Sequence, residues 1–248
     1  MFTKFTLDFD TNLFDELSTS TKFENIVGGR LGANLVNFTN GIVSLVRTTT
    51  NYNEANQMLL PVHYAIIEKI KRMTKYHKLE FNNAMIEIYD STYRNMKFHS
   101  DQSLDLVEDS YICIFSCYAD PLPKDIRKLK VKKKDTEESM DFLMEHNSII
   151  LFPVSINQKY LHKIVLETTN STSKWLGITF RMSKTFIKFV DEIPYFFPSD
   201  TILRVGNDDE RKAFLKYKGM ENSLSEYVYP IIDYTISFGD ILPIKKFK

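Results

Sequence analysis

Hydrophobic and polar positions alternate with a period of two along most of the chain from residue 81 onward. Short runs rich in β-branched and aromatic residues are separated by polar turns, which is the pattern of half-buried strands. The runs are AMIEIY, SYICIFSCY, SIILF, LHKIVLE, WLGITFR and KTFIKF. Too little helix separates them for a parallel β-α-β fold. We therefore expect a mainly β protein with flanking helices, built as an antiparallel sandwich or double-stranded β-helix (jelly roll).

One stretch before these strands has a helical period instead. Pro61 suits the first position of a helix, and apolar side chains recur on one face of the following turns. That face comprises Val62, Ile66, Ile70, Met73 and His77. The spacing predicts a helix over 61–78 that packs on a sheet.

The two ends of the chain have less regular patterns. In residues 1–60, IVGGRLGANLV and GIVSLVRTTTNY indicate short strands or loops around glycine turns. After residue 190, DEIPYFFPSD indicates a loop and NDDERKAFLKYKG a capped helix that ends at Gly219. We expect an N-terminal extension with substrate-side loops (1–60), a jelly-roll core with its supporting helix (61–190), and a C-terminal extension of unknown role (191–248).

Composition and charge narrow the class of protein. Of 248 residues, 43% are hydrophobic, which is enough for one substantial core. Thirty-two Lys and Arg balance thirty-two Asp and Glu, so no global field attracts a polyanion or an anionic membrane. No run of apolar residues reaches the length of a membrane span, and the amino terminus does not resemble a signal peptide.

Two cysteines, Cys113 and Cys117, lie in the run SYICIFSCY. On a strand they face the same side but are separated by roughly 13 Å at about 3.3 Å per residue, too far for a disulfide. We expect reduced thiols in the core, which suits a cytoplasmic or nuclear protein.

One basic cluster lies between the strands. It comprises Lys124, Arg127, Lys128, Lys130, Lys132, Lys133 and Lys134. Leu129 and Val131 alternate with these lysines, so the segment can be an edge strand of a hairpin on which charge prevents aggregation. The same strip could also contact phosphates and bind nucleic acid weakly.

His99 and Asp101 are the first candidates for chemistry. On an extended segment, residues two apart point to the same side, so both can reach one metal ion. His162 opens the apolar run LHKIVLE after the loop PVSINQKY and can supply a third ligand. Two histidines and a carboxylate with open positions suit non-haem Fe(II) oxygenases, although the same set can hold catalytic zinc.

A basic residue distinguishes the iron from the zinc interpretation. Arg181 lies at the end of the strand WLGITFR, where a guanidinium can bind a carboxylate with two hydrogen bonds. An iron enzyme that uses 2-oxoglutarate requires such an anchor, whereas a zinc hydrolase does not.

From about residue 40 to residue 189 the chain resembles the AlkB-like Fe(II)/2-oxoglutarate dioxygenases. FNNAMIEIYDSTYRNMKFHSD is similar to the family's strand, tyrosine, turn and His-x-Asp segment, and NSIILFPVSINQKYLHKI to the segment with its distal histidine. RMSKTF resembles the family's Arg-x-Asn-x-Thr-x-Arg signature. The resemblance implies that His99, Asp101 and His162 are catalytic and bind Fe(II). It implies that Tyr89 and Arg181 hold 2-oxoglutarate, with Ser183 and Thr185 lining that pocket.

The resemblance also implies the reaction, in which O2 is consumed and a substrate C–H bond is hydroxylated, with demethylation where the carbon is an N-methyl group. Four positions depart from the family pattern. Glu87 stands where the family usually has an asparagine, Ser183 replaces the asparagine of the signature, and Ile187 replaces its second arginine. Ser103 occupies a position at which base-repairing members carry an acidic residue that contacts the base. The substrate, whether protein, lipid or nucleic acid, is therefore left open. A base demethylase, a zinc hydrolase and a non-catalytic binding module remain alternatives, and we expect a monomer.

Overall fold

The computed structural model describes residues 1–74, 76, 79–168 and 172–244. Four α-helices lie in these ranges: α1 (Phe14–Thr19), α2 (Pro61–Thr74), α3 (Val154–Lys159) and α4 (Asp208–Ser223), followed by a 3-10 turn at Phe238–Ile241. Strands of the first half are β1 (Thr3–Thr6), β2 (Glu24–Val27), β3 (Arg30–Val36), β4 (Phe38–Thr39), β5 (Ile42–Leu45), β6 (Gln57–Met58), β7 (Asn83–Tyr89) and β8 (Tyr111–Tyr118). Those of the second half are β9 (Lys128–Lys133), β10 (Ser139–Leu143), β11 (Ser148–Pro153), β12 (Tyr160–Val165), β13 (Trp175–Arg181), β14 (Thr185–Val190), β15 (Ile193–Phe197), β16 (Arg204–Val205) and β17 (Tyr234–Thr235).

The fold is mainly β, as the alternation predicts, and its sheets are predominantly antiparallel. The major sheet has the order β1-β11-β8-β13-β7-β3-β2, with the two-residue β6 parallel to β3. A minor sheet has the order β10-β9-β12, and a third sheet the order β15-β14-β5-β4. All six runs named from the sequence form strands, β7, β8, β11, β12, β13 and β14.

Two cores cover the two faces of the major sheet. Ile114, Phe152 and Trp175 on one face pack with Leu129 and Val131 of the minor sheet. The opposite face packs against α2. The strands can serve both cores because successive side chains point to opposite faces.

The supporting helix is confirmed, but its buried face differs in part from the predicted one. Ile66 and Ile70 are fully buried, whereas Met73 is 44% exposed and Ile67 is buried instead. His63 is also buried, and its Nδ1 accepts a hydrogen bond from the backbone N–H of Leu60 at the start of α2. The predicted helix position His77 lies outside the described residues.

Three local predictions are wrong. The supposed loop DEIPYFFPSD contains β15, which forms a hairpin with β14. PVSINQKY is largely the short helix α3. The predicted helix α4 is capped, by reciprocal hydrogen bonds of Asn207 and Glu210, but it continues past Gly219 to Ser223.

Residues 1–60 supply β1–β6, and β3 of this segment pairs with β7 along its whole length. Cys113 and Cys117 are free thiols buried in the core beneath α2, as predicted, and burial raises their pKa values. Among the described helices, none has both the length and the apolar composition to cross a bilayer.

Candidate metal centre

The structure brings together the three donors that the sequence singled out. One ligand atom each from His99, Asp101 and His162 lies within 4.8 Å of the others. His162 is on β12 of the minor sheet, while His99 and Asp101 lie on the segment that follows β7. The group is therefore assembled from two distant parts of the chain.

Backbone hydrogen bonds hold the two histidines opposite each other. The N–H of His99 donates to the carbonyl of His162 at 3.0 Å, and the N–H of His162 donates to the carbonyl of His99 at 2.7 Å. On its other side β12 pairs with β9, where Val131 faces His162. The segment that carries His99 thus extends the edge of the minor sheet, and the two imidazole centroids are 4.7 Å apart.

Asp101 is fixed by a side chain rather than by a strand. Its backbone N–H donates to Oδ1 of Asn157 at 2.7 Å, and Nδ2 of Asn157 donates to the carbonyl of Asp101 at 2.8 Å. Asn157 is completely buried on α3, the short helix that follows β11. The amide therefore pairs with Asp101 as a neighbouring strand would.

The orientation of His99 suits a metal ligand. Nδ1 of His99 lies 3.0 Å from the carbonyl of Lys97, which assigns the proton to Nδ1 and leaves Nε2 as the free donor. Burial, and next the neighbouring His162, lower the pKa of His99 to about 3. The ring is thus neutral, as a metal ligand must be, over the physiological pH range.

The carboxylate of Asp101 is kept ionised by its neighbours. Burial alone would raise its pKa, but Arg181 and the two histidines hold the pKa of Asp101 well below its usual range. Nε2 of His162 lies 3.4 Å from Oδ1 of Asp101, and Nε of Arg181 lies 3.2 Å from Oδ2. The contact between Arg181 and Asp101 is an ion pair, but its angles do not fit a hydrogen bond.

Two buried polar atoms in this group lack hydrogen-bond partners among the described residues, although Oδ2 of Asp101 also forms the ion pair with Arg181. Oδ2 of Asp101 and Nδ1 of His162 are buried and accept or donate no hydrogen bond there. Such orphaned atoms are costly unless a ligand satisfies them. Two imidazoles and an ionised carboxylate are also the donor set that a divalent transition metal takes. The residues therefore fit a metal ion.

The three donors open into a cavity of about 420 Å³ between the major and minor sheets. Its walls come from both sheets, from the loops that carry residues 48–50 and 95–97, and from α4. The lining residues are Arg30, 48–50, Met85, Glu87, Tyr89, Tyr93, 95–97, His99, Ser100, Asp101, Gln102, Ile114, His162, Ile164, Thr179, Arg181 and Lys218. A volume of this size accommodates a small dicarboxylate beside a metal.

Arg181 and Tyr89, the predicted cosubstrate residues, both line this cavity. The hydroxyl of Tyr89 donates to Oε2 of Glu87 at 2.6 Å, and Glu87 also pairs with Arg30, whose Nε lies 2.6 Å from Oε1. Burial, and next the Glu87 carboxylate, raise the pKa of Tyr89 well above its usual range. Arg30 could not be identified from the sequence, because only the register of β3 against β7 places it beside Tyr89.

Ser183 and Thr185 lie elsewhere and are not among the lining residues. The hydroxyl of Ser183 donates to the carbonyl of Leu45 at 2.5 Å, and the hydroxyl of Thr185 donates to Oδ1 of Asp105 at 2.7 Å. Asp105 in turn forms a buried ion pair with Arg47 at 2.7 Å. Both hydroxyls therefore belong to a network that joins β14 to the loop after the His-x-Asp segment.

The C-terminal segment reaches the site, which the sequence did not indicate. Lys218 on α4 lines the cavity, and its Nζ donates to the carbonyl of Ser100 at 2.5 Å. Burial lowers the pKa of Lys218, although the adjacent Glu221 acts in the opposite direction. The only sign of Lys218 in the sequence is the helical spacing, which places it on the same face of α4 as Phe214 and Glu221.

The basic cluster is largely paired within the chain. Lys128 and Lys130 form ion pairs with Glu167 at 2.6 and 2.8 Å, and Lys130 also pairs with Asp141 at 3.0 Å. Its strand β9 is central in the minor sheet rather than an edge strand, because it pairs with both β10 and β12. Arg127 is buried and donates to backbone carbonyls of the turn after β7.

Two lysines face an aromatic side chain next to the site. Nζ of Lys132 and Nζ of Lys163 lie 4.8 and 4.7 Å from the ring centroid of Phe98, the residue before His99. This arrangement places two cations on the surface beside the His-x-Asp segment.

Comparisons with known proteins add little to this geometry. No family model matches the chain, and no curated protein matches it. Among solved structures, one described as the structure of OsALKBH1 aligns at 12% identity with a TM-score of 0.41. The alignment covers 62% of this chain and 78% of that one.

Proposed function

We propose that this protein is an Fe(II)- and 2-oxoglutarate-dependent dioxygenase of the AlkB-like type. One observation carries the proposal: the His99-Asp101-His162 group opens into the same cavity as the guanidinium of Arg181. The major and minor sheets would then be the two halves of a jelly roll, with the metal site at the edge where the His99 segment joins β12.

In this proposal His99, Asp101 and His162 hold Fe(II), and Arg181 binds a carboxylate of 2-oxoglutarate. When bound, iron, 2-oxoglutarate and O2 would supply the oxidation of a substrate C–H bond to an alcohol, with loss of the group where the carbon is an N-methyl. Tyr89 would exchange its hydrogen bond to Glu87 for one to the cosubstrate. Arg30 would keep the Glu87 charge compensated during that exchange.

The cavity supports the proposal because its apolar walls exclude water. Its sheet walls include Met85, Ile114 and Ile164, which limit water around the reacting groups. Residues 48–50 and 95–97 line the cavity and are partly or fully exposed, so a substrate would enter on this side. Ile187 stands where the family that the sequence resembles has a second arginine, and Arg30 forms an ion pair with Glu87. Arg181 is therefore the principal cation that can bind a dicarboxylate.

One observation favours a nucleic-acid substrate as a second candidate. Lys132 and Lys163 can contact phosphates beside the His-x-Asp segment, since both ammonium groups lie within 4.8 Å of the Phe98 ring centroid. The paired state of the other lysines argues for weak binding. The substrate class is therefore a separate proposal from the reaction type.

Anaerobic titration with Fe(II) and 2-oxoglutarate tests the reaction type. We expect one Fe(II) per chain and a weak charge-transfer band on addition of 2-oxoglutarate, both lost in His99→Ala and Asp101→Ala. His146→Ala is the matched control, because His146 caps the backbone of Tyr118 and does not line the cavity. Binding of zinc in preference to iron, with no response to 2-oxoglutarate, would support the hydrolase alternative. Absence of metal binding would favour a non-catalytic module.

A further inference from the structure

The residue between the two ligands of the His-x-Asp segment is enclosed by α4. Ser100 is fully buried, and its backbone N–H and its hydroxyl donate to Oδ1 of Asn222 at 3.0 and 3.1 Å. Nζ of Lys218 donates to the carbonyl of Ser100 at 2.5 Å and lies 3.3 Å from its hydroxyl oxygen. Every polar group of Ser100 is thus bound by the C-terminal helix.

A second contact continues this attachment along the chain. The backbone N–H and the hydroxyl of Ser103 donate to Oε1 of Glu221 at 2.9 and 2.5 Å. Oε2 of Glu221 accepts from Lys218 at 2.7 Å and from the hydroxyl of Tyr229 at 2.7 Å. The buried Glu221 therefore joins the segment after Asp101 to Lys218, and the charges of Lys218 and Glu221 compensate each other.

The helix that provides these groups is itself firmly placed. Its first turn is closed by the reciprocal hydrogen bonds of Asn207 and Glu210, and Phe214 packs with Tyr234 and Ile236. At its other end Nζ of Lys134 donates to the carbonyls of Glu221 and Leu224 at 2.5 and 2.9 Å. A cation at the C-terminal carbonyls of a helix is stabilising. Lys134 thus connects the minor sheet to the end of α4.

We propose that Asn222 and Lys218 are positioning residues of the metal centre, so that α4 sets the geometry of His99 and Asp101 through the backbone of Ser100. This inference rests on the proposed metal-binding function. Side chains alternate along an extended segment, so the face of Ser100 that meets α4 is opposite to the face that presents the two ligands. A rotation of the Ser100 peptide units would move both ligands at once.

Cobalt(II), a spectroscopic substitute for Fe(II), tests the inference by titration of the full chain. Asn222→Ala should weaken Co(II) binding by about tenfold or more, which is the usual effect of losing a group that orients metal ligands. Asn222→Asp keeps an oxygen acceptor for both Ser100 donors, so its affinity should lie within about threefold of the wild type. Lys216→Ala, an exposed position on the same helix, is the control and should bind as the wild type does.

Two further measurements separate positioning from general stability. Hydrogen exchange at the Ser100 amide should accelerate in Asn222→Ala and return toward the wild-type rate in Asn222→Asp. Each dissociation constant is measured at a temperature where thermal unfolding shows the metal-free variant to be folded. If Asn222→Ala does not fold, Lys218→Met, which keeps the apolar stem but removes the donors to Ser100, replaces it with the same expected loss of affinity.

The outcomes are distinguishable from those of the proposed function. Unchanged Co(II) affinity in folded Asn222→Ala or Lys218→Met, with normal binding by the wild type, would overturn the inference and leave the proposed function intact. A wild-type protein that binds neither Fe(II) nor Co(II) would overturn both.

Discussion

Nε of Arg181 lies 3.2 Å from Oδ2 of Asp101, so a buried guanidinium stands directly beside a candidate metal ligand. Both side chains are shielded from solvent, and each compensates a charge that would otherwise be isolated. The same arginine is the proposed anchor of the cosubstrate. The contact therefore connects the metal ligands to the dicarboxylate pocket.

Asp101→Asn should destabilise the metal-free protein. The substitution keeps the shape of the side chain but leaves the Arg181 charge unpaired, which costs about 3 kcal/mol of unfolding free energy for a buried ion. Urea unfolding with and without the second change Arg181→Met measures the coupling, because the double variant should regain part of the loss. Equal stabilities of Asp101→Asn and wild type would show that the pair contributes nothing.

Arg181→Lys should separate cosubstrate binding from metal binding. Lysine retains the charge beside Asp101 but lacks the planar fork, so 2-oxoglutarate affinity should fall by about tenfold or more, equivalent to about 1.4 kcal/mol. Calorimetric titration of the Fe(II)- or Co(II)-loaded protein provides the measurement. Metal affinity within about threefold of wild type is expected in parallel. Undiminished 2-oxoglutarate binding would place the anchor at another residue.

Asp240 should make stability depend on pH in a mildly acidic range. Burial raises its pKa to about 6, although Thr235 and Asn56 hydrogen-bond to it. The folded protein then binds a proton more readily than the unfolded chain, so this contribution is fully present below about pH 4 and is lost as the pH rises through about 6.

Asp240→Asn isolates this effect, since every other titrating group is common to both proteins. The unfolding free energy of the variant relative to wild type should increase by on the order of 2 kcal/mol between pH 4 and pH 7. Chemical unfolding at a series of pH values measures it. Parallel profiles for the two proteins would contradict the raised pKa.

Nucleic-acid binding should be weak and strongly dependent on salt. Glu167 and Asp141 already neutralise part of the basic cluster, and the chain has no net charge. Fluorescence anisotropy with a single-stranded oligonucleotide at two salt concentrations should show affinity that largely disappears at the higher one. Lys132→Glu together with Lys133→Glu should abolish the remainder. Tight binding, or rapid demethylation of N1-methyladenine or N3-methylcytosine that this charge reversal abolishes, would make the cluster a phosphate-binding surface.

Sequence periodicity predicted the strands well where burial alternates, as in β7, whose Ile86 and Ile88 face α2 while Glu87 and Tyr89 face the cavity. The prediction failed where the conformation that a residue type prefers locally differs from the one that tertiary contacts impose. The hairpin of β14 and β15 turns at Asp191 and Glu192 with φ values of 48° and 67°, positions at which asparagine or glycine is the usual signal.

The end of α4 shows the same conflict. Gly219 is a common helix terminator, yet the helix continues because Glu221 and Asn222 gain buried hydrogen bonds with Ser100 and Ser103. A local pattern carries no information about such distant partners.

In the candidate site, too, residues in local motifs could be predicted from the sequence, whereas residues that act through distant contacts could not. The spacing of His99 and Asp101 is local, and the sequence could identify it together with His162 and Arg181. Asn157, Arg30 and Lys218 could not be identified, since each acts through a residue far away in the chain. Ser183 and Thr185 were expected beside the cosubstrate by resemblance, and the structure shows them in the network around Asp105.

The reciprocal backbone bonds between His99 and His162 have a consequence for the order of assembly. These ligands, with Asn157 and Asn222, meet only through contacts of long sequence separation, which form late because their loop-closure entropy must be overcome first. An unfolded chain therefore keeps His99 close to Asp101 but lacks the complete site, because His162 joins them only in the folded protein. A metal that binds this centre would shift the folding equilibrium by mass action, and the melting temperature would rise with the concentration of free ion.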